Sequence, residues 1–114
     1  MLNKEAARIL NEIAIYLEMN NANVFKIRAY EKAAQIIESM SEDIGVLYKK
    51  GGPKALEEIP SVGKGIAEKL EEFIKTERIE LYEELKKKTP VDVSGLMGIE
   101  GMGPKRVKVL YKKL

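Results

Sequence analysis

The sequence predicts an all-α fold, a small helical bundle, and three observations carry that expectation. Apolar residues recur three and four apart in nearly every segment, the spacing that lines one face of an α-helix. No segment alternates apolar and polar residues as a half-buried strand would. Asn, Gly and Pro punctuate the chain between the periodic stretches. With 114 residues the chain holds one compact domain or two very small ones. Roughly two thirds of the unfolded surface can be buried at this size, enough for a core without staples.

The elements follow in order. Asn3 is a candidate N-cap for a first helix whose inward residues are Ala6, Ile9, Leu10, Ile13, Ala14 and Leu17. Asn20-Asn21-Ala22-Asn23 breaks it, and Asn23 can cap a second helix over Val24 to about Met40, with Ile27, Tyr30, Ala34 and Ile37 on one face. Ser41, followed by Glu42 and Asp43, is expected to start a third, with acids where the helix dipole favours them. Gly51-Gly52-Pro53 ends it, and a short segment, Lys54 to Glu58, leads into Ile59-Pro60-Ser61-Val62-Gly63. The next helix runs to about Lys75 with Ile66, Leu70, Phe73 and Ile74 inward. Another covers about Arg78 to Lys88, stopped by Thr89-Pro90. The Lys75–Arg78 junction lacks strong turn residues, which predicts a nearly continuous helical connection there. A last helix ends at Leu114, with Val107, Leu110, Tyr111 and Leu114 on one stripe. The division expected is a unit over residues 1–76 and a second over 77–114.

Composition excludes whole classes of chemistry. The chain has no Cys and no His. Disulfides, thiolate nucleophiles, imidazole bases and Cys/His metal sites are therefore out. No Asp-x-Asp pair is present to hold two divalent metals. Charges at Lys4, Glu5, Arg8 and Glu12 are incompatible with a signal peptide, and no apolar run approaches the roughly 20 residues that span a bilayer. A cytoplasmic, nucleoid-associated location and no membrane partner are the expectation.

The informative feature is an internal repeat. Leu56, Ile59, Gly63 and Leu70 recur 40 positions later as Leu96, Ile99, Gly103 and Leu110. Ser61-Val62 recurs as Gly101-Met102. Each copy reads as a helix end, a tight turn and a helix start, with an apolar residue between two small ones. Two ordinary helix corners would also enrich glycine, but the matched anchor, turn and helical face argue for a shared role. A small-apolar-Gly turn lets backbone N–H groups approach a ligand with no Cβ in the way. It feeds a helix whose first amides are unpaired and whose dipole end is positive. Lys64 follows the first turn, and Lys105, Arg106 and Lys108 follow the second. Such a corner suits a backbone phosphate and reads no base. Residues 101–114 contain Lys105, Arg106, Lys108, Lys112 and Lys113 and no acid, whereas acids outnumber bases over 51–100.

The stretch from Ile59 to Lys69 resembles the first helix-hairpin-helix motif of X-family DNA polymerases, the DNA polymerase beta group, and Ile99 to Lys105 resembles their second. Phe25 to Ala34 is similar to the family's DNA-contacting helix, most closely in bacterial and archaeal members. The three segments come in the family's order and cover essentially the whole chain. The resemblance implies DNA as partner, in gapped, nicked or 5′-phosphate form, and a polymerase palm that this chain lacks. It implies phosphate or DNA contacts at Phe25, Lys26, Tyr30, Ser61, Gly63, Lys64, Gly65, Gly101, Gly103, Lys105, Arg106 and Lys108. It also implies a monovalent cation, potassium or sodium, at the backbone carbonyls of Ile59, Val62, Met97, Ile99 and Met102.

In the same family a lysine matching Lys69 attacks an abasic sugar as a Schiff-base nucleophile. Where vertebrate lyase members carry further lysines, this chain has Glu57, Gly65 and Leu81, which weakens the implied hold on a 5′ phosphate. Each residue also has a plainer reading. Lys26 and Lys69 would be solvated or ion-paired helix lysines, Tyr30 a core aromatic, and Phe25 a buried staple before its helix. Three functions stay open: a DNA-binding module, a deoxyribose-phosphate lyase and a protein-interaction scaffold.

Overall fold

The computed structural model describes residues 1–89, and five helices with no strand make up that region. They are α1 (Asn3–Met19), α2 (Val24–Ser39), α3 (Ile44–Glu57), α4 (Lys64–Thr76) and α5 (Glu80–Lys88). The all-α expectation holds. The second repeat copy, with Met97, Ile99, Gly101, Met102, Gly103, Lys105, Arg106 and Lys108, lies outside the described residues.

α1 is the central helix. Beyond the predicted stripe it also buries Ala7, Ile15, Tyr16 and Met19, because α2 packs along one side and α5 on another. The run Ile13 to Leu17 is apolar on every side, as suits a helix in the middle of a bundle. α3 and α4 form a second pair. One continuous core joins all five helices, and Leu10, Ile13, Ile37, Ile44, Leu56, Leu70 and Ile79 are wholly shielded from solvent. Each such side chain contributes about 1.5–3 kcal/mol of burial.

Asn23 caps α2 as expected, its side chain accepting from the Phe25 N–H at 2.7 Å. Asn3 does something other than cap its own helix. It is buried, it donates to the Glu42 carbonyl at 2.8 Å, and it accepts from the Ile44 N–H at 2.8 Å. Asp43, not Ser41, caps α3 through Gly45 N–H at 3.0 Å, and its other oxygen accepts from Leu2 N–H at 2.7 Å. The starts of α1 and α3 therefore satisfy each other's orphan amides across the chain. That pairing is tertiary and leaves no local sequence pattern.

Gly51-Gly52-Pro53 ends the first helical run of α3, as expected, and a second short run carries the element on to Glu57. Gly52 takes φ 69°, ψ −157°, a conformation that glycine adopts without a Cβ penalty, and a short helical turn resumes at Pro53. The expected continuous α4–α5 connection is corrected. α4 ends at Glu77 in the left-handed region (φ 61°), and Thr76 Oγ1 accepts from Arg78 N–H at 3.2 Å. α5 then starts at Glu80, whose N–H is received by Glu72 of α4 at 2.8 Å. Glu72 thus caps the next helix.

Candidate functional site

The first repeat copy folds into a tight hairpin. Leu56 and Ile59 anchor its entry in the core, and the Ile59 carbonyl accepts the Val62 N–H at 3.0 Å. Val62 plugs inward, leaving Ser61 and Gly63 exposed on either side. Ser61 takes φ 66°, the left-handed region, where the other copy of the repeat carries Gly101. Gly63 is the N-cap residue of α4, in extended conformation (φ −84°), and gives no side-chain cap. Its carbonyl starts the helix by accepting from Ala67 N–H at 2.9 Å. Lys64, Gly65 and Ile66 therefore supply the helix-start amides that have no carbonyl one turn back.

The turn does not need glycine at 63 for its own sake. A Cβ built at Gly63 or at Gly65 meets no atom within 4 Å, and neither residue has a positive φ. The small residues leave open space in front of the helix start, and the conformational strain of the hairpin sits at Ser61 instead.

An open cleft of about 440 Å³ runs past this hairpin. α2 contributes Lys26, Ala29 and Tyr30; the hairpin turn contributes Ser61 and Gly63; α4 adds Gly65, Ile66, Glu68 and Lys69; and Leu81 closes the side from α5. Residues predicted from two separate stretches of sequence, Phe25–Ala34 and Ile59–Lys69, are thereby brought to one place. Lys26 is exposed and Lys69 half-buried. Lys64 is exposed next to the turn but does not line the cleft, and Glu57 is exposed elsewhere. Phe25 is 80% exposed, which removes the buried-staple reading. Glu68 is an acid that the sequence reading passed over; one position before Lys69 on a polar flank, it carried no distinguishing signal.

Tyr30 is buried, and burial pushes its phenol above the ordinary value of 10.0. The neutral phenol is favoured in the folded state, so its contribution to stability is complete below that ordinary value. It is lost as pH rises through the higher folded value. Ultraviolet titration should show a late-ionising phenol that is lost in Tyr30→Phe. A titration curve whose late limb the substitution leaves unchanged would contradict the burial described.

Among the described residues no cluster of His, Cys, Asp or Glu stands together as a metal site, and no helix is long and apolar enough to cross a membrane. The sharp turn, its buried apolar plug and the helix that starts on a glycine define a helix-hairpin-helix protein. The chain belongs to the helix-hairpin-helix domain family, whose model matches residues 1–79. It is also 31% identical, over 118 aligned residues, to the DNA polymerase/3′-5′ exonuclease PolX of Bacillus subtilis (strain 168), an X-family polymerase. That similarity covers the whole of this chain and 19% of the relative, at its N-terminal region.

Proposed function

We propose that this chain is a sequence-nonspecific DNA-binding module of an X-family repair polymerase, holding backbone phosphates of gapped or nicked DNA. The observation that carries the reading is the cleft, which sets the uncapped start of α4 beside Lys26, Tyr30 and Lys69. Backbone amides at a helix start and a positive dipole end favour a phosphate and carry no sequence information. Lys26 and Lys69 add charge, while Glu68 and the neutral Leu81 moderate it, so the hold on any one phosphate is modest. The second hairpin would supply a further phosphate contact through Gly101, Gly103, Lys105, Arg106 and Lys108.

Carbonyl chemistry at the first turn fits a potassium or sodium ion, which would neutralise part of a bound phosphate. The side chains of Ile59 and Val62 are apolar, so only their backbone oxygens would serve, and the Ile59 oxygen keeps a second lone pair beyond the Val62 bond.

The test is an equilibrium titration of gapped duplexes that differ only in a 5′-phosphate or 5′-hydroxyl at the gap. The phosphate-bearing duplex should bind about tenfold tighter, the lower end of the effect of one charge-assisted hydrogen bond. Equal affinity for both would remove the cleft as an end-binding site.

The half-burial of Lys69 in the same cleft favours one second reading, a deoxyribose-phosphate lyase. Nζ of Lys69 would add to C1′ of the ring-opened sugar, and loss of water would leave a Schiff base. Loss of the C2′ proton would then break the C3′–O3′ bond, leaving a 5′-phosphate on the DNA and the sugar on the enzyme until hydrolysis frees it.

A further inference from the structure

The cleft lies between the α1/α2 pair and the α3/α4 pair; the Asn3 and Asp43 bonds join the two pairs at the starts of α1 and α3, and α5 joins them beside the cleft. It is joined to α4 by the tight turn at Glu77 and by the Glu72–Glu80 N–H bond. It packs on α1, with Ile79, Tyr82 and Leu85 in the core. The contact is pinned by polar groups. Tyr82 donates its hydroxyl at 2.7 Å to Glu12, a carboxylate only 2% exposed. Arg8 donates to the other oxygen of Glu12 at 2.6 Å and is held in its charged form chiefly by its hydrogen bond to Glu5. The Tyr16 and Tyr82 rings meet at 6.3 Å. At the far end of α5, buried Thr89 accepts from Asn20 at 3.1 Å. Leu81, next to Tyr82, is the residue that α5 places in the cleft.

A buried carboxylate is a costly way to hold two helices together, and an apolar pair of similar shape would stabilise them at least as well. What a directional hydrogen bond adds is register. We propose that α5 is a strut that sets the width of the hairpin cleft, and that Glu12 and Tyr82 are positioning residues that pin it. The pin fixes where Leu81 stands opposite Lys26 and Tyr30, and thereby how closely a phosphorylated DNA end fits. The binding part of this inference rests on the function proposed above; the structural part stands without DNA.

Two readouts test it. The chain has no cysteine, so Lys32→Cys on α2 and Lys75→Cys on α4 accept a unique pair of spin labels. In the DNA-free protein the label distance should be narrowly distributed. It should broaden or shift in Tyr82→Phe, which keeps the ring, and stay unchanged in Glu84→Gln on the exposed side of α5. On gapped DNA, Tyr82→Phe should reduce the preference for a 5′-phosphate over a 5′-hydroxyl by about fivefold, the effect of one misplaced hydrogen bond. Leu81→Ala, which leaves the pin intact, should reduce the same preference. A purely structural pin would lower the melting temperature and leave both the distance and the preference as they are, and that result overturns the proposal. If the wild type shows no such preference, the binding reading fails, and the label distances alone decide for or against the strut.

Discussion

Replacing Gly63 with valine is expected to weaken DNA binding by about tenfold or more while the protein stays folded, a loss comparable to removing a charge-assisted contact. The separation of the two effects follows from local geometry. Gly63 has φ −84°, open to any residue, and a Cβ there meets nothing within 4 Å. A valine N-cap should cost at most about 1 kcal/mol of helix stability. The same side chain would fill the space in front of the Lys64–Ile66 amides, where a phosphate has to come close. Gly63→Ala should give a smaller loss of the same kind. Circular dichroism melts beside binding titrations make the check. A valine variant that binds as the wild type does would take the hairpin out of the interface.

Borohydride trapping should be all or none. If Lys69 is the Schiff-base nucleophile, DNA bearing a 5′-deoxyribose phosphate yields a covalent adduct with the wild type and none with Lys69→Ala. Reduction converts the imine to a stable secondary amine, so each turnover that reaches the Schiff base is recorded. The cleft holds Lys69 half-buried beside Tyr30 and Lys26. It gives only a thin positive lining, since Gly65 and Leu81 stand there and Glu68 carries a negative charge. No adduct in the wild type, or one that survives the substitution, would leave a binding module and no lyase.

Much of this is legible in the sequence, and the reasons differ by element. α2 and α4 announced themselves because each buries one clean stripe, with Ile27, Tyr30, Ala34 and Ile37 on one and Ile66, Leu70 and Phe73 on the other. The hairpin was legible because its turn is repeated 40 residues on, which separates a shared device from a chance corner. Ser61 in the left-handed region matches Gly101 of that repeat, so even the strained position was written in the sequence. What stayed hidden depends on distant partners. Asn3 looked like a cap for its own helix, yet it serves α3 across 41 positions. Glu12 stood out only as a charge near the amino terminus, yet Tyr82 and Arg8 hold it in the interior. The turn at Glu77 has a residue that seldom adopts positive φ, and what holds it is the Thr76 bond and the Glu72 cap on the next helix. The meeting of Lys26, Tyr30 and Lys69 in one cleft came from the family resemblance, because spacing along the chain does not give it.

The salt dependence of binding tests the central claim most directly. Phosphate neutralisation releases condensed counterions, at a slope of about −0.9 per phosphate on duplex DNA. Two hairpins that each engage about one or two phosphates should give a slope of log affinity against log salt of about −2 to −4, the same for unrelated sequences. Gly63→Val should make that slope shallower by about one unit, as one phosphate contact is lost. A slope near zero, or one that the substitution leaves untouched, would contradict a hairpin that holds the DNA backbone.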